Sequence, residues 1–384
     1  MRACSSLFAA SSLLLLAAPA AAKSWVVHPK ESIQAAVDKA SAGDSILVQA
    51  GTYHEPGVPC PMDASHTCAV VVSKPGISLV GVGNPKRRVI LENPGGQDQG
   101  IAIAPPGANG ATCLDDDTQR LAGASVTGFT VNGFDGEGIF LMCVDRFAVR
   151  FNATNDNGEY GIFPSHSTQG SVAFNVATGS NDTGIYIGQS RGVHVEHNSA
   201  SGNVSGFEIE NCSDVRLDHN LATGNTGGIL SFTLPFLDVN QNSGNRIDHN
   251  WVQANNKPNT CLDPTDAVCG VPQGTGILAL AVDANRVDHN VVLNNDSYGI
   301  AVANFCVAQR LTDPECAALG IEPNPDQNQV DHNLSFGNGK HPSPFIEPFF
   351  ATDIVWDGTG QGNCWDKNVF GTQFPPDPGL PTCE

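Results

Sequence analysis

Positive charge is scarce in this chain of 384 residues. Lys and Arg number 19 against 39 Asp and Glu, for a formal net charge of −20. A polyanion approaching such a surface meets long-range repulsion, so nucleic acid is not an expected partner. The run Lys86-Arg87-Arg88 reads as a solvated turn. No two cysteines have the CxxC spacing, so no structural zinc is expected, and no other metal or cofactor is called for. Beyond residue 22 no apolar run approaches the ~20 residues that span a bilayer, so no membrane partner is expected.

The first 22 residues hold Arg2, an apolar run over 13–18 and then Ala20-Ala21-Ala22. That pattern is a secretory signal peptide with a small-residue cleavage site. The mature chain is therefore expected to be secreted, and losing Arg2 takes its charge from −20 to −21. Secretion makes disulfides the default reading of the 12 cysteines, one of which is Cys4 in the leader. Cys60–Cys68, Cys261–Cys269, Cys306–Cys316 and Cys364–Cys383 suit local loops, Cys113–Cys143 closes a longer one, and Cys212 is left over. Sequons stand at Asn152, Asn181, Asn203, Asn211, Asn295 and Asn333. Asn181 and Asn211 are the expected glycan sites, since Asn152 and Asn333 fall in a repeat that reads as buried.

That repeat organises the chain. VRLDHN at 215–220 returns as RIDHN ending at Asn250, RVDHN at Asn290 and QVDHN at Asn333. VHVEHN ends at Asn198, and weaker copies end at Asn152 and Asn175. The positions 152, 175, 198 and 220 give spacings of 23, 23 and 22 residues, the mark of a solenoid. Between these turns, strands open with Gly-Ile or Gly-Phe: Gly138-Ile139, Gly161-Ile162, Gly184-Ile185, Gly206-Phe207, Gly228-Ile229, Gly276-Ile277 and Gly299-Ile300. Coils stacked ~4.8 Å apart put the Ile and Phe in an inward column. The asparagine column is expected at a turn, bonding from coil to coil. Residues 32–40 place Ile33, Ala36, Val37 and Ala40 at helical spacing before Gly43, a helix that would cap the open first coil.

The N-terminal helix, the following GDSILVQAGTYHE, the Gly-Ile strands and the asparagine column together resemble the right-handed parallel β-helix of the pectate-lyase-like superfamily. The resemblance implies an all-β fold, a single-stranded right-handed parallel β-helix over 23–370 with an N-terminal capping helix. A Pro-rich tail, 371–384, would be tied back through Cys383. Insertions at 234–244, 255–274, 305–327 and 339–348 flank the Gly-Ile strands, and the resemblance implies a substrate groove along that sheet.

The Asp-His columns, Asp218, Asp248, Asp288 and Asp331 with the histidines that follow them, recur in too many coils to be one catalytic site. They read as a surface charge lattice beside Arg216, Arg246 and Arg286. On the Gly-Ile sheet, alternation makes the first outward column Phe140, Phe163, Tyr186, Glu208, Leu230, Leu278 and Ala301. The second runs Met142, Ser165, Gly188, Glu210, Phe232, Leu280 and Ala303. So apolar a face is either the seat of the inserted loops or the floor of a ligand groove. Glu208 and Glu210 are the acids of these columns. They are read as a general acid and base with pKa values pushed apart, with Tyr186 one coil away as a further group to donate or abstract a proton. Phe140, Phe163, His166, Leu230, Phe232 and Leu278 would then contact the substrate.

Departures from the superfamily's known sites narrow this. The paired-aspartate, Gly-His-Gly and Arg-x-Lys set of polygalacturonase-like hydrolases is missing, as is the Asp-Pro-His of mannuronan epimerases. The predicted columns hold no Arg or Lys for a pectate-lyase reaction. The leading expectation is a secreted, monomeric enzyme acting on a carbohydrate by glycosidase- or lyase-like acid-base chemistry. A cyclase or isomerase of a small hydrophobic compound in the same groove, and a non-catalytic secreted binding or cell-surface protein, stand beside it.

Overall fold

The computed structural model describes residues 22–84 and 86–383, so the expected leader lies outside it apart from Ala22. The chain winds as a right-handed parallel β-helix with three long faces. The sheets hold 12, 11 and 12 strands, and strands one coil apart are neighbours. The first carries the strands ending in Asp-His-Asn, such as Arg216–Asp218. The second carries those just after the asparagine, such as Leu221–Thr223. The third carries the Gly-Ile strands, among them Thr183–Gly188, Ser205–Glu210, Gly227–Phe232 and Thr275–Leu280.

The expected register holds. Ile185 pairs with Phe207, Phe207 with Ile229, Ile229 with Ile277 and Ile277 with Ile300. All five side chains are fully buried. The glycine before each is needed because the neighbouring coil packs against it. At Gly184 a Cβ would come within 2.7 Å of the Asn203 side chain. The capping helix, Ile33–Lys39, has Ser32 at its N-cap accepting from the Ala35 amide, and buries Ile33 and Val37 on the first coil.

Asparagines bond from coil to coil down the turn after the first sheet. The Asn250 carboxamide oxygen accepts from the Asn220 backbone N–H at 2.9 Å and from its Nδ2 at 3.1 Å. The Asn250 Nδ2 donates to the Leu217 carbonyl and to Asn290 Oδ1. Groups that water cannot reach are thus paired within the file. Two further ladders run at the other corners. One passes through Asn203, Asn225, Asn255, Asn295 and Asn338. The other passes through Asn245, Asn285, Asn328 and Asn363. Cys212 belongs beside this last ladder. Its Sγ accepts the Ser190 N–H, as the Ser190 hydroxyl accepts that of Ser167. The unpaired thiol is a hydrogen-bonding member of the file, and burial raises its pKa.

The other five cysteine pairs are all disulfide-bonded as expected, including Cys113–Cys143. The expected surface lattice is deeper than a surface. Asp248 and Asp288 are fully buried, and each receives a bidentate Arg from the preceding coil: Arg216 on Asp248 at 3.0 and 2.9 Å, Arg246 on Asp288 at 2.9 and 2.7 Å. The cation reaches across the coil step because directly stacked aspartates would otherwise repel one another. Asn211, expected to carry a glycan, is fully buried and holds residues 234–239 through its carboxamide, accepting from the Leu234 N–H and donating to the Leu234 and Val239 carbonyls. No glycan fits there. Asn203 and Asn295 are buried in a ladder, and Asn181 is partly exposed.

Candidate functional site

Tyr186, Glu208 and Leu230 stand in register on the outward side of the third sheet, as do Gly188, Glu210 and Phe232. The strand that carries both glutamates pairs on both sides, so their backbone positions are fixed by two neighbours. Outward does not mean open. Glu208, Glu210 and Tyr186 are only 5, 7 and 6 % exposed. The expected groove floor is largely packed. Leu230, Phe232 and Leu280 form a cluster with Val268 and Val271 of the 255–274 insertion and with Phe305. Phe140 is buried beside Phe163.

His166 is also enclosed. Gly110 of the helix Gly110–Asp115 sits so close that a Cβ there would meet the imidazole at 2.4 Å. Its Nδ1 lies 2.8 Å from the Ser165 hydroxyl and its Nε2 3.3 Å from Asp238, too poorly aimed for a hydrogen bond. Burial holds its pKa below the ordinary value, so it is neutral at pH 7. Of the residues expected to contact substrate, Phe163 and Leu278 keep solvent exposure.

The structure adds groups that the column reading did not reach. Tyr160, Phe163 and Tyr186 form a ring cluster: Phe163 stacks on Tyr186 at 4.3 Å, and Tyr160 lies 4.8 Å from each. Asp182 lies within reach of the Tyr160 hydroxyl and accepts from the Thr183 hydroxyl at 2.8 Å. Glu208 is approached by the hydroxyls of Ser205 and Thr183, and Glu210 by that of Tyr186. Tyr160, Thr183 and Ser205 each precede the glycine of a Gly-Ile strand. That column could have been read from the repeat, but the bend at glycine breaks the alternation.

The electrostatics follow from burial without a cation. Desolvation raises Glu208 to about 7, its Ser205 and Thr183 contacts pulling down and Glu210 pushing up. Desolvation raises Glu210 to about 7 as well, against the Tyr186 contact and with Asp182 pushing up. Asp182 is also held well above its ordinary value, by burial and then by Glu208. The expected separation of two unlike carboxyls is therefore not found; both rise together because both are enclosed. Burial likewise raises Tyr186, with Glu210 adding to it, so its hydroxyl keeps its proton. The arrangement can share protons among three carboxyls at neutral pH beside an aromatic wall.

Elsewhere, His194, Glu196 and Asp218 bring one possible metal-ligand atom each within 4.8 Å of the others. His194 stands where later coils have Arg, pairs with Arg216 in register, and bonds Asp218 as Arg216 bonds Asp248. That is the lattice's own role, filled by imidazole.

Three faces, coil-to-coil ladders and a loop-flanked third sheet define a right-handed parallel β-helix. The family model of NosD, described as a periplasmic copper-binding protein, matches residues 109–267. No curated protein sequence matches the chain. Among solved structures, the A-module of mannuronan C-5 epimerase AlgE4 from Azotobacter vinelandii is similar with a TM-score of 0.59 and 15 % identity, over 88 % of this chain and 90 % of that one. A double mutant of the periplasmic alginate epimerase AlgG has a TM-score of 0.57 at 15 % identity, over 91 % of this chain and 73 % of that one. The tailspike protein of E. coli bacteriophage HK620, in complex with a pentasaccharide, has a TM-score of 0.57 at 11 % identity, over 88 % of this chain and 59 % of that one. At such identities the likeness is one of fold.

Proposed function

We propose that the chain is a secreted carbohydrate-active protein that binds a neutral sugar against Tyr160 and Phe163 and transfers protons through Glu208 and Glu210, with the Tyr186 hydroxyl holding Glu210 as a hydrogen-bond donor. The observation that carries the reading is the enclosed carboxyl group of Asp182, Glu208 and Glu210 beside stacked rings, with both glutamates raised to about 7. At that pH the pair holds about one proton between them, so one carboxyl can donate while the other accepts. Rings suit the apolar face of a sugar. The fold neighbours, which include epimerases of mannuronan or alginate and a tailspike bound to a pentasaccharide, support carbohydrate as the ligand class. A uronate is disfavoured, because its carboxylate would meet three acids and no Arg or Lys, and the Asp-Pro-His of mannuronan epimerases is absent. Substrate enters from the Phe163 side, where the covering is incomplete.

The covering loops favour a second reading, a binding protein without turnover. The cyclase reading loses its motive, since the apolar columns Leu230, Phe232 and Leu280 are the seat of the loops. The test is turnover and binding of neutral oligosaccharides by the wild type and by Glu208→Gln, Glu210→Gln and Phe163→Ala. Acid-base roles require a loss of about 10²–10⁴-fold in kcat for each Gln variant with binding retained. Turnover equal to wild type in both Gln variants refutes those roles. Binding without any turnover in the wild type supports the second reading.

A further inference from the structure

The corner between the first and second sheets carries a file of stacked rings that stops short. Phe151 lies parallel to Phe174 with centroids 5.0 Å apart, and Phe174 lies 4.9 Å from His197. His219, His249, His289 and His332 continue the stack at 4.8–5.1 Å. Every ring residue has a left-handed φ, between 54° and 57°, which turns each side chain out at the same point of its coil. Traced toward the N-terminus, the rings end at Phe151 but the coil positions continue. Thr127 pairs with Arg150 and with Val80, so Gly128 and then Gly81 occupy the next two places.

Neither glycine can hold a ring. A Cβ on Gly128 would lie 2.7 Å from the Gly81 carbonyl oxygen, and one on Gly81 would lie 2.3 Å from that of Gly128. The backbones touch, and the two ring places outside them stay vacant. The chain then leaves the coil beside the vacancy, with Asn84 bridging back to Arg87. The result is a cavity of about 450 Å³ lined by Gly81, Asn84, Arg88, Gly128, Phe151 and Phe174 among others. Phe151 is 60 % exposed and Phe174 45 %, and among the described residues no ring covers the face of Phe151 turned away from Phe174. Arg88 is exposed at the rim and has no ion-pair partner among the described residues.

We propose that this vacancy binds a flat aromatic ring bearing a carboxylate. The ring takes the empty place on the face of Phe151 and continues the stack, and the carboxylate meets the Arg88 guanidinium. The inference is independent of the carboxyl cluster on the third sheet. In a chain of net charge −20, Arg88 is the cation that lines this apolar slot, at the end of the basic run Lys86-Arg87-Arg88, and it selects an anion of matching shape.

The test is calorimetric and NMR titration of the full chain with benzoate and 2-naphthoate, alongside benzyl alcohol and methyl α-glucopyranoside. Both carboxylates are expected to bind, naphthoate more tightly. Phe151→Ala should weaken both by about tenfold. Arg88→Gln should bring benzoate down to the level of benzyl alcohol. Both side chains are exposed, and circular dichroism checks that each variant keeps the wild-type fold. Binding that is unchanged in Phe151→Ala, a glucoside that binds more tightly than benzoate, or no binding of either carboxylate at millimolar concentration would each overturn the proposal.

Discussion

Replacing Glu208 with Gln should stabilise the protein at alkaline pH and leave it unchanged in acid. Burial raises the Glu208 carboxyl from 4.5 to about 7, so the folded protein keeps a proton that the unfolded chain releases. The folded state therefore binds more protons between those values, and stability falls as pH rises through that window. A difference of that size corresponds to about 3 kcal/mol lost by pH 8, with none lost below pH 4.5. Gln has the shape of the protonated acid and no charge to desolvate. The stability of Glu208→Gln minus wild type should thus be near zero at pH 4.5, climb through pH 5–7 and level off near +3 kcal/mol. Glu210→Gln should behave alike. The double variant should gain less than the sum, because the two carboxyls disfavour each other's charge. The assay is urea unfolding followed by circular dichroism at half-unit steps of pH. A flat difference across pH 5–8 would refute the reasoning, since it would mean that the carboxyls are solvated and the face open.

Arg246→Ala should destabilise by about 2 kcal/mol in the same assay, because it strips the bidentate partner from fully buried Asp288; the His289 imidazole and Arg286, which also contact Asp288, keep the loss below that of an isolated buried charge. Asn250→Ala removes an amide from the middle of its ladder and should cost about 3 kcal/mol or more, read from the urea midpoint, as the Asn220 N–H and Leu217 carbonyl lose their partner. Cys212→Ser should change stability by less than about 1 kcal/mol, since Ser190 and Ser167 fill the same place one and two coils earlier, and the native thiol should resist a thiol reagent until urea is added. Expressed in a glycosylating secretory host, the chain should carry a glycan at Asn181 and none at Asn211, which peptide mapping by mass spectrometry decides.

The fold could be read from the sequence because a solenoid writes its geometry as a period. One coil fixes the next, so a recurring Asp-His-Asn and a recurring Gly-Ile locate two corners and the inward column without knowledge of any contact between distant residues. Two of the three asparagine ladders escaped notice for the same reason in reverse. Asn203, Asn225 and Asn255 stand before the Gly-Ile strands without a fixed neighbour such as His, and insertions stretch the next spacing to 40 residues. Cys212 looked like an odd cysteine because its place in a file of hydroxyls is a matter of position, not of residue type.

The site was half legible, and the missing half was depth. Strand alternation tells which residues leave the core; it does not tell what lies over them. Leu230 and Phe232 leave the core as expected, yet the insertion carrying Val268 and Val271 folds back to meet them. Where such a loop lands depends on its own side chains and its disulfide, and no period constrains those. The same covering alters the chemistry expected of the glutamates. In open water, two neighbouring carboxyls would titrate apart through their mutual repulsion; enclosed together without a cation, desolvation dominates both and lifts them in step. A pair that rises together serves proton exchange only where something breaks its symmetry, and in the proposed function that is a sugar bound on the Phe163 side, which decides which glutamate keeps the proton.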